Sequence, residues 1–390
     1  MRNGFKIYDT DTHIRPSAET LRPYLSSLVL ERVPDLEEHR TPIRTSPTRE
    51  VLEPPYRHYY RFRAGDGEGE GFGADHARVL GEAAPRAKKL ERPRQFMGTR
   101  YPSRHTDDDA AEARLRDMDD EGVDVQFLIG GAGPGHPDPV VGLEFVRAGH
   151  RFLHDFCSHD PHRLKACLVA VPWAVEESVA EIQRWAREPW AVAVHPHLPV
   201  GYPLDHPDLE PVWAAAQEHG LAVIHHSFSS GYPGHRDLWD SPFLGRLAAH
   251  PWGAMRAVGA FFGAGIMDRY PALRFGILES GFGWLPFWAR RMDDQAIYMG
   301  YVQESLEHRL SEYLTGGRFF ASVVLHEGEA MVRMVSDDLG DHILMYSSDY
   351  PHPESRFPGS ADVALGWTTL GEERLRKLLW ENPVRFFGEP

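Results

Sequence analysis

Cysteine is nearly absent from this 390-residue chain, with Cys157 and Cys167 the only two. Two thiols without a C-x-x-C spacing exclude a disulfide framework, a thiolate zinc site and a dithiol redox pair, which leaves both as candidates for the core. Long apolar runs are missing too. None approaches the roughly 20 residues that a membrane-spanning helix needs, so no membrane partner is expected. The opening MRNGFKIYDTDTHIRP lacks the apolar stretch of a secretory signal, and a cytoplasmic location is expected. Positive charge is in deficit: 42 Lys and Arg stand against 57 Asp and Glu, a net charge of −15. With no basic run to offset it, nucleic acid is not an expected partner. No G-x-S-x-G marks a nucleophile elbow. The glycine-rich Gly130–Gly135 lacks the spacing and the lysine of a phosphate-binding loop, and reads as a flexible connection.

Hydrophobic residues make up 42% and charged residues 25%, the proportions of an ordinary globular protein. Short aliphatic runs alternate with helix-like segments, the pattern of βα units around a parallel sheet. The runs are Lys6–Asp11, Val123–Ile129, Lys165–Val171, Ala191–His195, Leu221–His226, Phe275–Glu279, Phe319–Val323 and Ile343–Ser347. Eight runs predict an α/β fold, a (β/α)8 TIM barrel forming one domain over residues 1–390. Helices are expected from the Thr106–Asp109 cap to a stop at Gly122, over Leu209–His219, over Trp284–Met299 and over Glu372–Trp380. Residues 35–105 break the rhythm and read as a long insertion after strand 1. Its Tyr56, Tyr59, Tyr60 and Phe62, mixed with Arg57, Arg61 and Arg63, suit a lid over the barrel mouth.

Histidine is abundant, 22 in all, which invites a search for metal ligands. His105, His159, His162, His250 and His308 sit in polar or helix-surface contexts and are expected to be solvated. Asp11 and His13, two apart on strand 1, share a face. Strand 5 ends in His225-His226, strand 6 in Glu279 and strand 8 in Asp349, with His352 three residues on. In a βα barrel these ends meet at the C-terminal mouth, where active sites lie. Only one of His225 and His226 can face the axis. His195 and His197, in HPHLP, can reach the mouth, and Arg15 lies two residues beyond His13.

These residues resemble the amidohydrolase superfamily, in particular the branch that contains aminocarboxymuconate-semialdehyde decarboxylase. The resemblance runs through strand 1 and then residues 106–388, including GVDVQFLI, YPALRFGILESGFGWLPFWARRMD, ILMYSSDYPHPES and ENPVRFFG. It implies one divalent metal held by Asp11, His13, His226 and Asp349, with zinc the usual ion. Two departures stand out. Asp11 replaces one imidazole of the frequent H-x-H motif, so manganese and iron compete with zinc. Glu279 stands where the decarboxylases carry His.

A metal-bound water near pKa 7 and a carboxylate base are what a hydrolase uses. The leading expectation is therefore metal-dependent hydrolysis, or a related carbonyl addition, on a small aromatic or carboxylate-bearing substrate. Glu279 is assigned to proton transfer, Asp349 to catalysis as well as to the metal, and Arg15, His197 and His352 to substrate binding. The alternatives are non-oxidative decarboxylation of an aromatic or unsaturated acid, metal-assisted cyclisation with loss of water, and a non-catalytic binding barrel. The resemblance also implies a homo-oligomer, such as a dimer, and WLPFW at 284–288 is read as helix packing or an oligomer contact.

Overall fold

The computed structural model describes residues 1–44, 52–62, 109–131, 135–199, 201–226, 242–300, 306–352 and 355–390. Among the described residues, eight strands form the main sheet: β1 (Tyr8–Ile14), β2 (Val125–Gly130), β3 (Leu164–Ala170), β4 (Ala191–Pro196), β5 (Ala222–His226), β6 (Phe275–Leu278), β7 (Phe319–Ser322) and β8 (Leu344–Met345). They pair in chain order, and each paired neighbour is parallel. The sheet then returns to its start. Thr10 N donates to Tyr346 O at 3.0 Å, Asp349 N to Asp11 O at 3.0 Å and His13 N to Tyr350 O at 2.7 Å. The result is the (β/α)8 barrel expected from the alternation of runs.

Strand edges differ from the sequence expectation where chemistry bends the chain. β1 continues to Ile14, three residues past the aliphatic run that ends at Asp11, and so contains both Asp11 and His13. β6 stops at Leu278 because Glu279 turns into the left-handed region at φ 49°.

Helices on the outside include α1 (Ala111–Glu121), α2 (Pro139–Cys157), α3 (Val175–Trp185), α4 (Glu210–Glu218), α5 (Pro242–Gly263), α6 (Leu285–Met299) and α7 (Gly328–Leu339). Gly122, at φ 78°, stops α1 as anticipated. The WLPFW segment divides: Leu285 is buried, whereas Phe287 is exposed. The last helical stretch runs further than Trp380. After Gly371–Arg376 and a π turn at Lys377–Glu381, helix continues over Asn382–Phe387. Pro383 does not end it, because it sits in the first turn, where no N–H is needed.

That extension fills the barrel. Phe386 and Phe387 join Tyr8, Phe127, Ile224 and Phe320 in the interior, and Phe387 stacks on Phe127 with ring centroids 4.2 Å apart. Gly276 makes room for it, since a Cβ there would lie 2.4 Å from Phe386 Cζ. A second apolar layer, with Leu128, Val194, Val223 and Ile277, joins the barrel to its helices. Cys167 is in the inner core and Cys157 in the outer one, both as free thiols.

The described part of the 35–105 insertion contains a ribbon in which Arg40–Pro42 pairs antiparallel with His58–Tyr60. Tyr60 and Phe62 pack edge-on against Phe145 of α2 at 6.0 and 5.1 Å. Arg63 and the rest of the expected lid, like the Thr106–Asp108 part of the expected cap, lie outside the described residues. Among those described, no helix is long and apolar enough to cross a membrane.

Candidate active site and metal centre

The pleat decides what faces the barrel axis. Ile224 belongs to the interior and Val223 to the outer layer, so His226 points inward and His225 outward. His13 Nε2 lies 3.4 Å from Asp11 Oδ1 and 3.1 Å from Asp349 Oδ1. His226 Nε2 lies 3.7 Å from Asp11 Oδ1 and 3.1 Å from Glu279 Oε2. His352 stacks on His13 at 4.1 Å, and its Nδ1 is 2.8 Å from Asp349 Oδ1. Two sets of potential ligand atoms, each within 4.8 Å, share His13: Asp11, His13 and His226 form one, and His13, Glu279, Asp349 and His352 the other.

Two of these residues are strained. Glu279 at φ 49° and Asp349 at φ 60° are left-handed without being glycine, a cost of about 1–3 kcal/mol each that concentrates at functional sites.

The electrostatics call for positive charge. Burial pushes the Asp11 carboxyl up to about 6, with Asp349 and Glu279 adding repulsion against the opposing pull of His226. Burial disfavours a charge on His226, yet the nearby carboxylates of Asp11 and Glu279 prevail and raise it well above the usual imidazole range. Burial and Asp349 press the Glu279 carboxyl upward, but His226 outweighs them and holds it low. His13 is driven well below its ordinary value, first by burial. His352 rises to about 9 because Asp349 overcomes its burial. Both carboxylate oxygens of Asp11 and Nε2 of His13 are buried without a hydrogen bond. Orphaned groups of this kind are costly, and a divalent cation would satisfy acids and neutral imidazoles together.

A cavity of about 900 Å³ opens beside this cluster. Asp11, Glu279 and Asp349 line its polar side, and Met255, Trp284 and Leu325 its apolar side. Arg15 and His197 lie elsewhere. They line a separate cleft of about 340 Å³ with Tyr59, Tyr60, Arg61 and Phe62, and the Arg15 guanidinium stacks over Tyr59 at 4.2 Å.

One histidine departs from the sequence expectation. His250, expected to be solvated, belongs to α5, lines the large cavity and donates from Nδ1 to the Glu279 carbonyl at 2.7 Å. Its polar neighbours in sequence carry no sign of this, because packing of the helix brings it in. His195 lies in β4, within its expected run, and is buried with its ring 6.2 Å from that of His226.

The amidohydrolase family model matches residues 10–388. The chain belongs to the amidohydrolase family. Among solved amidohydrolase-like structures, 5-carboxyvanillate decarboxylase LigW from Sphingomonas paucimobilis is 17% identical, with a TM-score of 0.68 over 99% of this chain and 100% of that one. The related LigW2 from Novosphingobium aromaticivorans, solved with bound manganese and 3-methoxy-4-hydroxy-5-nitrobenzoic acid, is 19% identical, with a TM-score of 0.65 over 99% and 98%. The 2,6-dihydroxybenzoate decarboxylase from Rhizobium is 15% identical, with a TM-score of 0.63 over 98% of each chain. At these identities the likeness establishes the shared barrel.

Proposed function

We propose that this amidohydrolase-family protein is a divalent-metal-dependent decarboxylase of a small aromatic or unsaturated carboxylic acid. The observation that carries the reading is the convergence of Asp11, His13, His226 and Asp349, in which both Asp11 carboxylate oxygens and His13 Nε2 are buried without a hydrogen bond, set in a barrel that matches solved decarboxylases from end to end. Decarboxylation thus moves ahead of hydrolysis, the leading expectation from sequence. Asp11, His13, His226 and Asp349 would hold the cation, and two carboxylates beside two imidazoles suit manganese or iron as well as zinc. When bound, the ion supplies a Lewis acid that anchors a carboxylate and an adjacent hydroxyl oxygen.

The protein's own groups do the rest. Met255, Trp284 and Leu325 form the apolar wall of the cavity, which receives an aromatic ring and keeps water from it. As the bond to the departing CO2 breaks, its electron pair stays on the substrate carbon. Glu279 faces the cavity within 3.1 Å of His226; a carboxylate at rest, it takes up a proton from water and passes it to that carbon, which completes the new C–H bond and restores the carboxylate. His352 orients Asp349 through their 2.8 Å contact.

Hydrolysis remains the second reading, favoured by one observation: a carboxylate, and not an imidazole, follows β6. In that role Glu279 accepts a proton from water. The test incubates manganese-loaded protein with hydroxybenzoates and, separately, with aromatic amides, and follows CO2 release and product mass. Loss of CO2 dependent on metal and on Glu279 is expected. Metal-dependent amide cleavage without CO2 release from any acid would overturn the decarboxylase reading in favour of hydrolysis.

A further inference from the structure

Glu279 stands in a costly backbone conformation, and contacts from three separate elements converge on the short loop that it opens. Its own N–H donates to Ser322 Oγ of β7 at 3.2 Å. Its carbonyl accepts from His250 Nδ1 of α5 at 2.7 Å. Further along, Glu327, from the segment between β7 and α7, receives two backbone N–H groups: Gly283 N at 2.8 Å from Oε2, and Phe282 N at 3.3 Å from each carboxylate oxygen.

The sequence of the loop is shaped around that carboxylate. A Cβ on Gly281 would lie 2.4 Å from Glu327 Oε1, and one on Gly283 would lie 3.1 Å from Glu327 Oε2 and 2.6 Å from Met331 Sδ. Gly281 is also left-handed, at φ 67°. Both glycines of Glu279-Ser280-Gly281-Phe282-Gly283 therefore leave space that only the bare backbone permits. Gly281, Gly283 and Glu327 line the same large cavity as Glu279.

We infer that Glu327 is a positioning residue: it locks the 279–284 loop, with His250 as a second anchor, so that the Glu279 carboxylate stays aimed at His226 and the cavity. A carboxylate with two convergent N–H donors is a strong, directional clamp. Its removal lets Glu279 relax toward an ordinary φ, and a displacement of about 1 Å at a working group can lower a rate about 10²-fold. The inference rests on the reading that Glu279 works at this site, but its physical half, the clamp, does not depend on any substrate.

The experiment has two arms, run on Glu327→Ala and on the milder Glu327→Gln, which keeps one acceptor oxygen and guards against loss of folding. In the first, hydrogen exchange on the metal-loaded protein is expected to show the Phe282 and Gly283 amides losing at least tenfold protection in Glu327→Ala, with β1–β5 unchanged. Unchanged protection would overturn the clamp. In the second, kcat is expected to fall at least tenfold with KM within about twofold and metal content kept. The loss should vanish when Glu279 is already Gln, because the two changes act through one group. Equal losses in both backgrounds would mean that Glu327 serves stability alone, and would overturn the positioning role. If the wild-type protein turns over no acid and no amide, the functional reading fails while the exchange arm still decides the clamp.

Discussion

Glu121 offers a measurable test of the buried electrostatics remote from the metal cluster. It closes α1, where the helix C-terminus already disfavours negative charge. Its Oε1 accepts the Ala361 N–H at 2.6 Å, while Oε2 is buried without a hydrogen bond. Burial raises its carboxyl from 4.5 to about 7, with Asp362 adding repulsion and Arg2 opposing it. The folded protein thus holds a proton that the unfolded chain releases, and stability must fall as pH rises from 4.5 toward 7. At about 1.4 kcal/mol per pH unit, the full effect is about 3 kcal/mol. It is absent below the unfolded value and complete above the folded one. Glu121→Gln preserves the acceptor for Ala361 and cannot ionise. Urea unfolding of both proteins at pH 4.5 and pH 8 is the assay: the variant's advantage should grow by about 3 kcal/mol between the two. An advantage that is the same at both pH values would refute the reasoning.

Elemental analysis of protein never exposed to chelator should find about one divalent metal per chain, and His13→Ala should lower it. Full activity in excess chelator would count against the metal centre. Glu279→Gln should lower kcat by about 10² with metal retained; metal lost together with activity would make Glu279 a ligand, and unchanged kcat with metal retained would remove it from the mechanism. Phe387→Ala should destabilise the barrel by about 3–5 kcal/mol, read as a lower urea midpoint, because its ring stacks on Phe127 in the interior. A change under about 1 kcal/mol would show that the plug contributes little.

The barrel was legible because buried parallel strands must be short aliphatic runs, and all eight such runs became strands. That Asp11, His13, Glu279 and Asp349 converge at one mouth was legible because strand period and strand end together fix where side chains meet, whereas the choice of His226 over His225 came from the family resemblance. What sequence could not show depends on tertiary approach. His250 comes from a helix, and nothing local distinguishes it from the solvated histidines. Glu327 acts on backbone amides of another loop, which leaves no side-chain pattern. Arg15 continues the spacing of Asp11 and His13, yet just past the strand it turns out toward Tyr59. The reach of the final helix was hidden by Pro383, which looks like a stop and serves as a start.

Phe386 and Phe387 follow all eight strands in the chain, yet they occupy the middle of the barrel. This order constrains time as well as space. The outer layer, where each strand meets its neighbouring helix, can assemble piece by piece as the chain lengthens. The interior cannot be sealed until the last helix arrives, and until then Tyr8, Phe127 and Phe320 face an unfilled centre. Such late, long-range closure makes folding slow and leaves a sticky intermediate, so the sealing step is where temperature or crowding should divert this chain into aggregates.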